Sequence, residues 1–404
     1  MASPCILGKM IQRLLPVLLL ASFAAADKGA VKTRPGIAAV DVAIGGFIEK
    51  KAIAGAVVLI DHKGKIIHDR AYGHQDREAG SAMRKDSVFR IYSMTKPVAS
   101  VAALMLVDEG KLGLDDSVAK YLPELKSMKL PNGDAPKRAM TVRDLLRHTA
   151  GLTYGWGMSK VERQYRNAKL LSSEHTLADM VTKLGTLPLA HAPGTRWKYS
   201  VAVDVLGRVV EVASGQPFDQ FLKARLFDPL GMHDTGFHVI EKNRARFTAN
   251  YRARAGGIRR PVDVPATSRY ARPALFFSGG GGLVSTAADY LAFCRMMRAG
   301  GVSGKRVFLK PATYAAMTRN QLAPELTPIG FGLVKMPGVG FGLGVSVIVE
   351  GRDKGEYGWG GAATTGFHIA PKDELIVITM AQVMPRNSAI HEKIRGLAYE
   401  RVRK

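Results

Sequence analysis

The sequence contains no apolar run long enough to cross a membrane. Its N-terminal run, Leu14–Ala26, is interrupted by a proline and is shorter than the roughly 18 residues that a spanning helix needs. Lys9 and Arg13 precede this run and the small residues Ala24–Ala26 close it, which is the pattern of a secretory signal peptide. We therefore predict that residues 1–26 are removed on export to the periplasm or the medium, and that the mature protein has no stable insertion in a membrane.

Cysteine is scarce, with two residues in a chain of 404. Loss of the signal peptide removes Cys5 and leaves Cys294, so an intramolecular disulfide is excluded in the mature chain. Cys294 lies in the apolar stretch Tyr290–Met297, where a buried structural thiol is expected rather than a reactive one.

Acidic residues are also few, 34 against 58 lysines and arginines, so the formal charge is +24 and falls to +22 without Lys9 and Arg13. Such an excess suggests a nucleic-acid partner. Three observations argue against a nucleic-acid partner: the basic residues are scattered along the chain, no nucleic-acid motif accompanies them, and export would separate the protein from nucleic acid. The densest basic run, Lys242–Arg260, is expected to be a solvated loop, and loose association with an anionic envelope surface is the alternative.

Two catalytic patterns are missing as well. The chain has no G-x-S-x-G segment, which argues against an α/β-hydrolase site. Its ten histidines show no H-x-x-x-H pairing, so we expect no metal and no other cofactor. His148, in the segment Arg-His-Thr-Ala-Gly, is interpreted as structural rather than catalytic.

Periodic segments lie near both ends of the chain. Ile37–Lys50 has apolar residues at helical spacing, and Asp61–Gly64 is a turn between two β-branched runs, which predicts a hairpin. Three strands and a final helix are predicted near the C-terminus, over Phe341–Glu350, Thr365–Ala370, Glu374–Gln382 and Ser388–Val402. Helical patterns dominate between Gly110 and Pro328. The predicted fold class is α/β (α+β): an antiparallel sheet of five or more strands from both chain ends, flanked by helices, with a large helical insertion.

The segment Ser93-Met94-Thr95-Lys96 opens a long apolar helix, Pro97–Val107, that ends at Gly110. Their spacing of three places Ser93 and Lys96 on one helical face. A serine hydroxyl is a poor nucleophile until a base takes its proton, and a lysine can be that base where burial favours its neutral amine. Backbone amides at the helix N-terminus favour developing negative charge. The pattern predicts Ser93 as nucleophile and Lys96 as base, although S-x-x-K alone is common.

Two further segments are candidates for the same site. Ser200 suits the N-cap of a helical stripe that ends at Gly215, so Tyr199 would lie on a loop tip and could relay a proton; a packing tyrosine is the alternative. The glycine-rich segment Tyr357–Ala363 precedes a predicted strand. An N–H on such an edge strand could pair with that of Ser93 as an oxyanion hole, and a simple turn is the alternative.

With these motifs, several longer segments resemble the serine β-lactamase-like superfamily, which includes class C β-lactamases, D,D-peptidases and family VIII carboxylesterases. They follow the expected order over nearly the whole mature chain: Phe89–Pro97, Gly113–Asp116, Leu145–Gly155 and Gly279–Asp289. The resemblance implies that Ser93 is acylated, that Lys96 is the base and Tyr199 its partner, and that the amides of Ser93 and Ala362 form the oxyanion hole.

The resemblance also bears on domain organisation. It implies a β-lactamase/transpeptidase-like fold and one hydrolase domain over residues 27–404. Residues 27–110 and 329–404 would form the sheet lobe and residues 111–328 a mainly helical lobe, with the active site in the cleft between them.

Two departures favour the esterase branch of this superfamily. Val201 stands where the tyrosine motif of class C β-lactamases ends in Asn, and Trp359-Gly360-Gly361 replaces their K-T-G strand motif. Both changes remove groups that hold a β-lactam, and Trp359 supplies an apolar wall instead, so Trp359, Gly360 and Gly361 are expected to contact substrate. We therefore expect a serine hydrolase that cleaves small-molecule esters with short or medium acyl chains.

Two alternatives stay open. The first is other chemistry on the same serine: hydrolysis of β-lactams, D-amino-acid peptides or other amides, or acyl transfer between small molecules. The second is a non-catalytic structural or penicillin-sensing member of the superfamily. The intact set of Ser93, Lys96 and Tyr199 argues against the second.

Overall fold

The computed structural model describes residues 37–403. The predicted signal peptide, residues 1–26, lies outside this range, as does Cys5. The helices are α1 (Ile37–Glu49), α2 (Thr95–Asp108), α3 (Val142–Leu146), α4 (Lys160–Asn167), α5 (Leu177–Gly185), α6 (Ala202–Ser214), α7 (Phe218–Leu222), α8 (Asp228–Leu230), α9 (Ala287–Arg298), α10 (Pro311–Thr318) and α11 (Ser388–Val402).

Strands follow one another without an α-helix between them near both ends of the described range, over residues 55–90 before α2 and over residues 330–384 before α11. They are β1 (Gly55–His62), β2 (Lys65–Asp76), β3 (Ser81–Ala82), β4 (Phe89–Arg90), β5 (Asn250–Arg254), β6 (Gly257–Asp263), β7 (Val284–Ser285), β8 (Val302–Ser303), β9 (Arg306–Val307), β10 (Gly330–Phe331), β11 (Val334–Lys335), β12 (Val339–Phe341), β13 (Ser346–Ile348), β14 (Tyr357–Gly361), β15 (Thr365–Ala370), β16 (Leu375–Ala381) and β17 (Val383–Met384).

Eight strands form one antiparallel sheet in the order β12-β13-β14-β15-β16-β1-β2-β3. β1 pairs with β16 on one side and with β2 on the other, so the N-terminal hairpin lies directly beside the C-terminal strands. This confirms the predicted antiparallel sheet of five or more strands built from both chain ends. The predicted strand over Thr365–Ala370 and helix over Ser388–Val402 are found with those bounds.

Helices cover both faces of the sheet, which explains why β15 and β16 are buried at every residue. α1 and α11 pack on one face, through side chains such as Val40 and Ile394. α2 lies in the larger cluster on the other face and is buried from Thr95 to Leu106. The helix that begins next to Ser93 is thus the core helix of the protein. No helix among residues 37–403 has the length and apolarity needed to cross a bilayer.

The predicted strand over Phe341–Glu350 is interrupted. A tight turn, closed by a 2.8 Å hydrogen bond from the Gly342 N–H to the Val345 carbonyl, separates β12 from β13. Gly344 in this turn has φ of +98° and lies against Ser100 of α2, where a Cβ would collide with the serine side chain. Close packing on α2 therefore bends the chain where the apolar pattern alone suggests one strand.

The expectation of a solvated loop over Lys242–Arg260 is wrong for the second half of this run, because residues 250–260 lie in the β5–β6 hairpin, whereas residues 242–246 lie in a 3₁₀ turn. Tyr251 is buried on β5 while Arg252 and Arg254 on the same strand are exposed. This alternation of period two is that of a strand with one solvated face. The high proportion of arginine hid the pattern in the sequence.

Candidate active site

Ser93 lies at the junction between a short strand and the core helix. β4 pairs with β7 and is followed by a single 3₁₀ turn, Tyr92–Met94, which leads into α2. Tyr92 has φ of +43°, a conformation that costs a non-glycine residue on the order of 1–3 kcal/mol. The sharp turn at Tyr92 places Ser93 half-buried at the entrance to the buried helix, as expected for a nucleophile that must meet a ligand.

Lys96 lies in the first turn of α2 and is completely buried. Its Nζ donates hydrogen bonds to Ser93 Oγ at 3.3 Å, to the Tyr154 hydroxyl at 3.0 Å and to the Gly280 carbonyl at 2.5 Å. The structure therefore brings the predicted nucleophile and base to a separation that allows direct proton transfer. The Tyr154 and Gly280 contacts hold the amine in place.

Tyr154 is a component of this cluster that the sequence reasoning missed. It lies on the loop between α3 and α4, at the end of the family-like segment Leu145–Gly155, and that segment was the signal that could have identified it. Burial raises the pKa of the Tyr154 phenol well above its ordinary value, and Asp204 and Tyr199 add to this effect. The phenol is therefore neutral at pH 7 and has a proton to offer as well as lone pairs for Lys96.

Tyr199 is brought to the same cluster but contacts Lys96 differently from the prediction. The Lys96 Nζ lies 4.5 Å from the centre of the Tyr199 ring, so the lysine faces the ring and not the hydroxyl. The hydroxyl accepts a hydrogen bond of 3.3 Å from Nε1 of Trp359. Two predicted site residues, Tyr199 and Trp359, are thus joined to each other, with the half-buried phenol at the border of the cleft.

The helix after Tyr199 begins one residue later than predicted. Val201, not Ser200, is the N-cap residue of α6, although the Ser200 hydroxyl accepts a 3.4 Å hydrogen bond from the Ala202 N–H; it also lies 3.4 Å from Nδ1 of His148. The His148 ring packs 4.7 Å from the ring of Tyr199, centre to centre. Burial lowers the pKa of His148 well below its ordinary value, with a further contribution from Lys96, so the imidazole is neutral at pH 7. A neutral packing role for His148 agrees with its interpretation as structural.

A buried carboxylate fixes the backbone that holds Lys96. Asp204, on the first turn of α6, is completely buried and accepts a 3.0 Å hydrogen bond from the Gly280 N–H and another from the Ser278 hydroxyl. Burial raises the pKa of this carboxyl, while Lys96 and the two hydrogen bonds oppose the rise. A Cβ on Gly280 would collide with the Asp204 carboxylate, so this position needs glycine. Asp204 therefore sets the position of the carbonyl that receives the Lys96 amine.

The strand with the Trp-Gly-Gly motif is not the edge strand that the sequence suggested. β14 lies between β13 and β15 in the sheet, because residues 339–348 add two more strands, β12 and β13, outside it. Within β14, however, only Tyr357 and Gly358 pair with β13. In the described sheet, one side of the segment from Trp359 to Gly361 is therefore left without a strand partner, and its backbone is available to a ligand there.

The end of β14 approaches the turn that carries Ser93. A Cβ on Gly361 would collide with the carbonyl oxygen of Ile91, two residues before Ser93. The hydroxyl of Thr365, at the start of β15, donates to the same carbonyl at 3.3 Å. This close approach places the end of β14 against the turn that carries Ser93.

A cavity of about 690 Å³ lies beside Tyr199. Aromatic rings line this cavity. Between ring centres, Trp156 lies 6.0 Å from Tyr199 and Phe331 lies 5.4 Å from Tyr199. Trp197 is also part of the wall. The cavity is of the size that small-molecule sites have, and it is far larger than an acetyl group needs.

The arrangement suits acyl transfer through a covalent intermediate. It supplies an accessible hydroxyl, a buried amine in contact with it, a phenol at the cleft border and an open strand edge for the developing oxyanion. Among residues 37–403, no group of three or more His, Cys, Asp and Glu side chains is arranged to hold a metal ion.

Comparison with known proteins gives matches over most of the chain. A family model described as Beta-lactamase matches residues 40–399. An uncharacterised protein of Mycobacterium tuberculosis is 36% identical over 354 residues, which are 82% of this chain and 86% of that protein. Esterase EstB of Burkholderia gladioli is 34% identical over 339 residues, 78% of this chain and 82% of EstB.

A solved structure with a similar fold is that of EstCE1, described as a hydrolase with promiscuous acyltransferase activity. It superposes with a TM-score of 0.79 at 28% sequence identity, over 90% of this chain and 98% of EstCE1.

Proposed function

We propose that this chain, which belongs to the Beta-lactamase family, hydrolyses small-molecule carboxylic esters through an acyl-enzyme on Ser93. The chain is a serine hydrolase whose relatives include an esterase, and its resemblance to family VIII carboxylesterases is confirmed by the match to EstB. The observation that carries the assignment of the nucleophile is the 3.3 Å contact between Ser93 Oγ and the buried Nζ of Lys96.

In the proposed first half-reaction, Lys96 takes the proton of the Ser93 hydroxyl as Oγ attacks the ester carbonyl carbon. The carbonyl oxygen becomes an oxyanion, which the amides of Ser93 and Ala362 stabilise. When the C–O bond to the alcohol breaks, the departing oxygen takes a proton from the Tyr199 phenol. Because Lys96 faces the ring of Tyr199 and not its hydroxyl, the phenolate recovers a proton from Lys96 by way of a water molecule. A free alcohol and an acyl ester on Ser93 result.

The second half-reaction repeats these steps with water. Lys96 accepts a proton from the attacking water, the oxyanion forms again, and Ser93 Oγ leaves with the proton returned by Lys96. The carboxylic acid departs and the serine is restored. Trp359 holds the Tyr199 hydroxyl through its Nε1, so the proposed substrate wall also orients the proton carrier.

An ester is favoured over a β-lactam by two residues of the family-like motifs, Val201 and Trp359. Val201 is 2% exposed and presents a hydrocarbon side chain where an amide would hold a lactam, and the Trp359 indole replaces a lysine on β14. Neither side chain offers the hydrogen bonds or the charge that a lactam amide and its carboxylate would use at these positions.

Hydrolysis of p-nitrophenyl butyrate by the wild type and by Ser93→Ala tests the proposal. We expect loss of activity in Ser93→Ala and, in the wild type, a transient mass increase of one butyryl group on the peptide that contains Ser93. Full activity of the alanine variant would exclude the assignment. Nitrocefin in the same assay tests the lactamase alternative, and faster turnover of nitrocefin than of the ester would favour it.

Acyl transfer is the second candidate, favoured by the acyltransferase activity described for EstCE1 and by the large aromatic-lined cavity. A bound alcohol could replace water in the second half-reaction, since both present an oxygen nucleophile to the same acyl-enzyme. Adding a primary alcohol to the ester assay measures this directly. An ester product that grows with alcohol concentration at constant p-nitrophenol release would demonstrate transfer.

We also propose that the protein acts after export, on the basis of the signal-peptide pattern in residues 1–26. Expression of the full chain followed by N-terminal sequencing tests this. A mature N-terminus at or near Asp27 in the exported fraction is expected, and an uncleaved cytoplasmic product would contradict it.

A further inference from the structure

Two exposed loops border the mouth of the aromatic-lined cavity. One is the loop between α3 and α4, which contributes Trp156, and the other is the β10–β11 hairpin, which contributes Phe331. Both rings pack beside Tyr199, so the two loops flank one opening. Each loop also carries large apolar side chains that face solvent. Together these side chains form the apolar rim, which consists of Trp156, Met158, Phe331, Leu333 and Val334.

The apolar rim is largely in contact with water. Leu333, in the turn of the hairpin, is fully exposed, Met158 is 80% exposed and Trp156 is 69% exposed. Single exposed apolar residues are normal on a protein surface, but a cluster of them around one opening marks an interaction surface. Because Leu333 has no neighbour that covers it, its side chain projects from the protein. A projecting apolar tip is suited to insertion into a soft apolar phase.

Hydrogen bonds hold the first of these loops in its exposed position. On its inner side, the buried carboxylate of Glu162 accepts a 3.2 Å hydrogen bond from the Gly157 N–H. On its outer side, Arg166 donates to the Gly157 carbonyl at 3.2 Å and Arg163 donates to the Met158 carbonyl at 2.8 Å. The loop is therefore fixed from both sides, and its apolar side chains cannot fold back onto the core without breaking these bonds.

Basic residues lie next to the apolar rim. α4 follows the loop directly, and its exposed residues include Lys160, Arg163 and Arg166. Its one acidic residue, Glu162, is buried and pairs with Lys198 at 2.7 Å. The solvent-exposed side of α4, which we call the basic face, therefore carries positive charge without a carboxylate of the same helix to neutralise it.

An anionic lipid surface matches both the basic face and the apolar rim. Each lysine or arginine near anionic headgroups raises the affinity about fivefold, and a tryptophan is favoured between headgroups and acyl chains because its ring is apolar and its N–H is polar. At the cavity itself, exposed Arg196 and Lys335 stand against one exposed carboxylate, that of Glu325. A second copy of this chain is a poorer partner, since it would bring two basic surfaces together and the whole chain has a formal charge of +24.

We propose that the apolar rim inserts into an anionic lipid surface with the basic face of α4 against the headgroups, so that the cavity opens toward the lipid. The association is peripheral, because only rim side chains enter the lipid and no helix of residues 37–403 is able to span it. The inference goes beyond the proposed ester hydrolysis, since docking needs neither Ser93 nor a substrate. An ester dissolved in the lipid would enter the cavity without crossing water.

Binding to vesicles tests the proposal. The purified protein is mixed with vesicles of phosphatidylcholine and phosphatidylglycerol in equal parts, or of phosphatidylcholine alone, and the bound fraction is measured by flotation. We expect binding to the mixed vesicles that sodium chloride weakens, and binding to phosphatidylcholine alone that is at least about tenfold weaker. Of the three tryptophans only Trp156 is largely exposed, so binding should shift the fluorescence to shorter wavelength, and Trp156→Leu should lose this shift.

Two sets of variants separate the apolar rim from the charges. Leu333→Ser should weaken binding to the mixed vesicles about tenfold or more, because a leucine side chain is no longer transferred from water into lipid. Replacing both Lys160 and Lys335 by glutamine should weaken binding about tenfold or more at low salt and have little effect at high salt. Both changes are at exposed side chains, so the thermal midpoint of unfolding should stay that of the wild type.

Matched controls lie elsewhere on the surface. Val42→Ser changes a 77% exposed apolar side chain on α1, and glutamine at both Arg252 and Arg254 removes two charges from the β5–β6 hairpin. We expect both controls to bind the mixed vesicles within about twofold of the wild type. All variants carry the same N-terminal segment as the wild type, so differences between them report on the altered side chains.

Wild-type affinity in Leu333→Ser, an equal loss in the matched controls, or no binding to the mixed vesicles would each refute the docking surface. A dimer that Leu333→Ser dissociates, without vesicle binding, would assign the apolar rim to a second copy instead. Ser93→Ala should bind vesicles like the wild type. If no ester is hydrolysed while vesicle binding still depends on the apolar rim, the proposed function has failed and the docking surface stands.

Discussion

The two tyrosines around Lys96 make a quantitative prediction. Tyr154→Phe deletes one hydrogen bond, of 3.0 Å, to a fully buried Nζ that keeps its contacts with Ser93 and Gly280. Loss of one such bond costs about 1–3 kcal/mol, so we expect kcat for p-nitrophenyl butyrate to fall about 5- to 150-fold. Tyr199→Phe removes the proposed proton carrier, a role that contributes about 100- to 10,000-fold, and should be the more damaging change.

Steady-state kcat and KM are measured for both variants together with Tyr165→Phe. Tyr165 is a suitable control because it is 3% exposed and its hydroxyl, like that of Tyr154, is buried, yet it has no hydrogen-bond partner among the described residues. We expect the control to match the wild type. A kcat in Tyr154→Phe equal to that of the wild type would refute the reasoning that the Tyr154 phenol holds Lys96. If Tyr199→Phe is more active than Tyr154→Phe, Tyr154 and not Tyr199 would be the proton carrier.

Three further predictions concern the surroundings of the site. Gly280→Ala should lower kcat more than it raises KM, since the new methyl group displaces Asp204 and moves the carbonyl that holds the lysine; an unchanged kcat would contradict this. Asp144→Ala should lower the free energy of unfolding by about 3 kcal/mol in urea titrations at pH 7, because it leaves two arginines facing an empty site. Burial raises the pKa of the Asp144 carboxyl, but hydrogen bonds from an arginine and a threonine outweigh this and hold it below its ordinary value. The contribution of Asp144 is therefore complete above the unfolded pKa of about 3.9 and disappears as the pH falls through the folded value; an equal difference between variant and wild type at pH 2 and pH 7 would refute it. Cys294 should not react with DTNB in the native state and should react on unfolding, since it is fully buried and burial raises the pKa of its thiol well above the ordinary value.

The elements that local pattern could identify were those with a regular period and clear ends. The helix over Ser388–Val402 and the strand over Thr365–Ala370 were predicted with the bounds that the structure has. The errors arose where a contact distant in sequence overrode the local pattern. Ser100 on α2 bends the chain at Gly344, and burial of Tyr251 turns an arginine-rich run into a hairpin.

The same holds within the site. The spacing of Ser93 and Lys96 is local, because one turn of helix brings residues three apart together whatever surrounds them. Lys96 contacts Tyr154, 58 residues away in the sequence, and Gly280, 184 residues away. No local sequence pattern contains such a contact. Arg386 and Gly360 are likewise joined only because β14 and the segment before α11 are folded against each other.

The sequence by itself determined the family, the sheet built from both chain ends and the contact between Ser93 and Lys96, since each follows from short-range spacing or from the order of segments. The tertiary structure alone decided that the Tyr154 hydroxyl contacts Lys96 and that the Asp204 carboxylate holds the backbone at Gly280. It also placed the Arg386 guanidinium against Gly360 of β14. The physical reason is that side chains on separate elements meet only after the core has packed, and their distances depend on that packing rather than on their spacing in the chain.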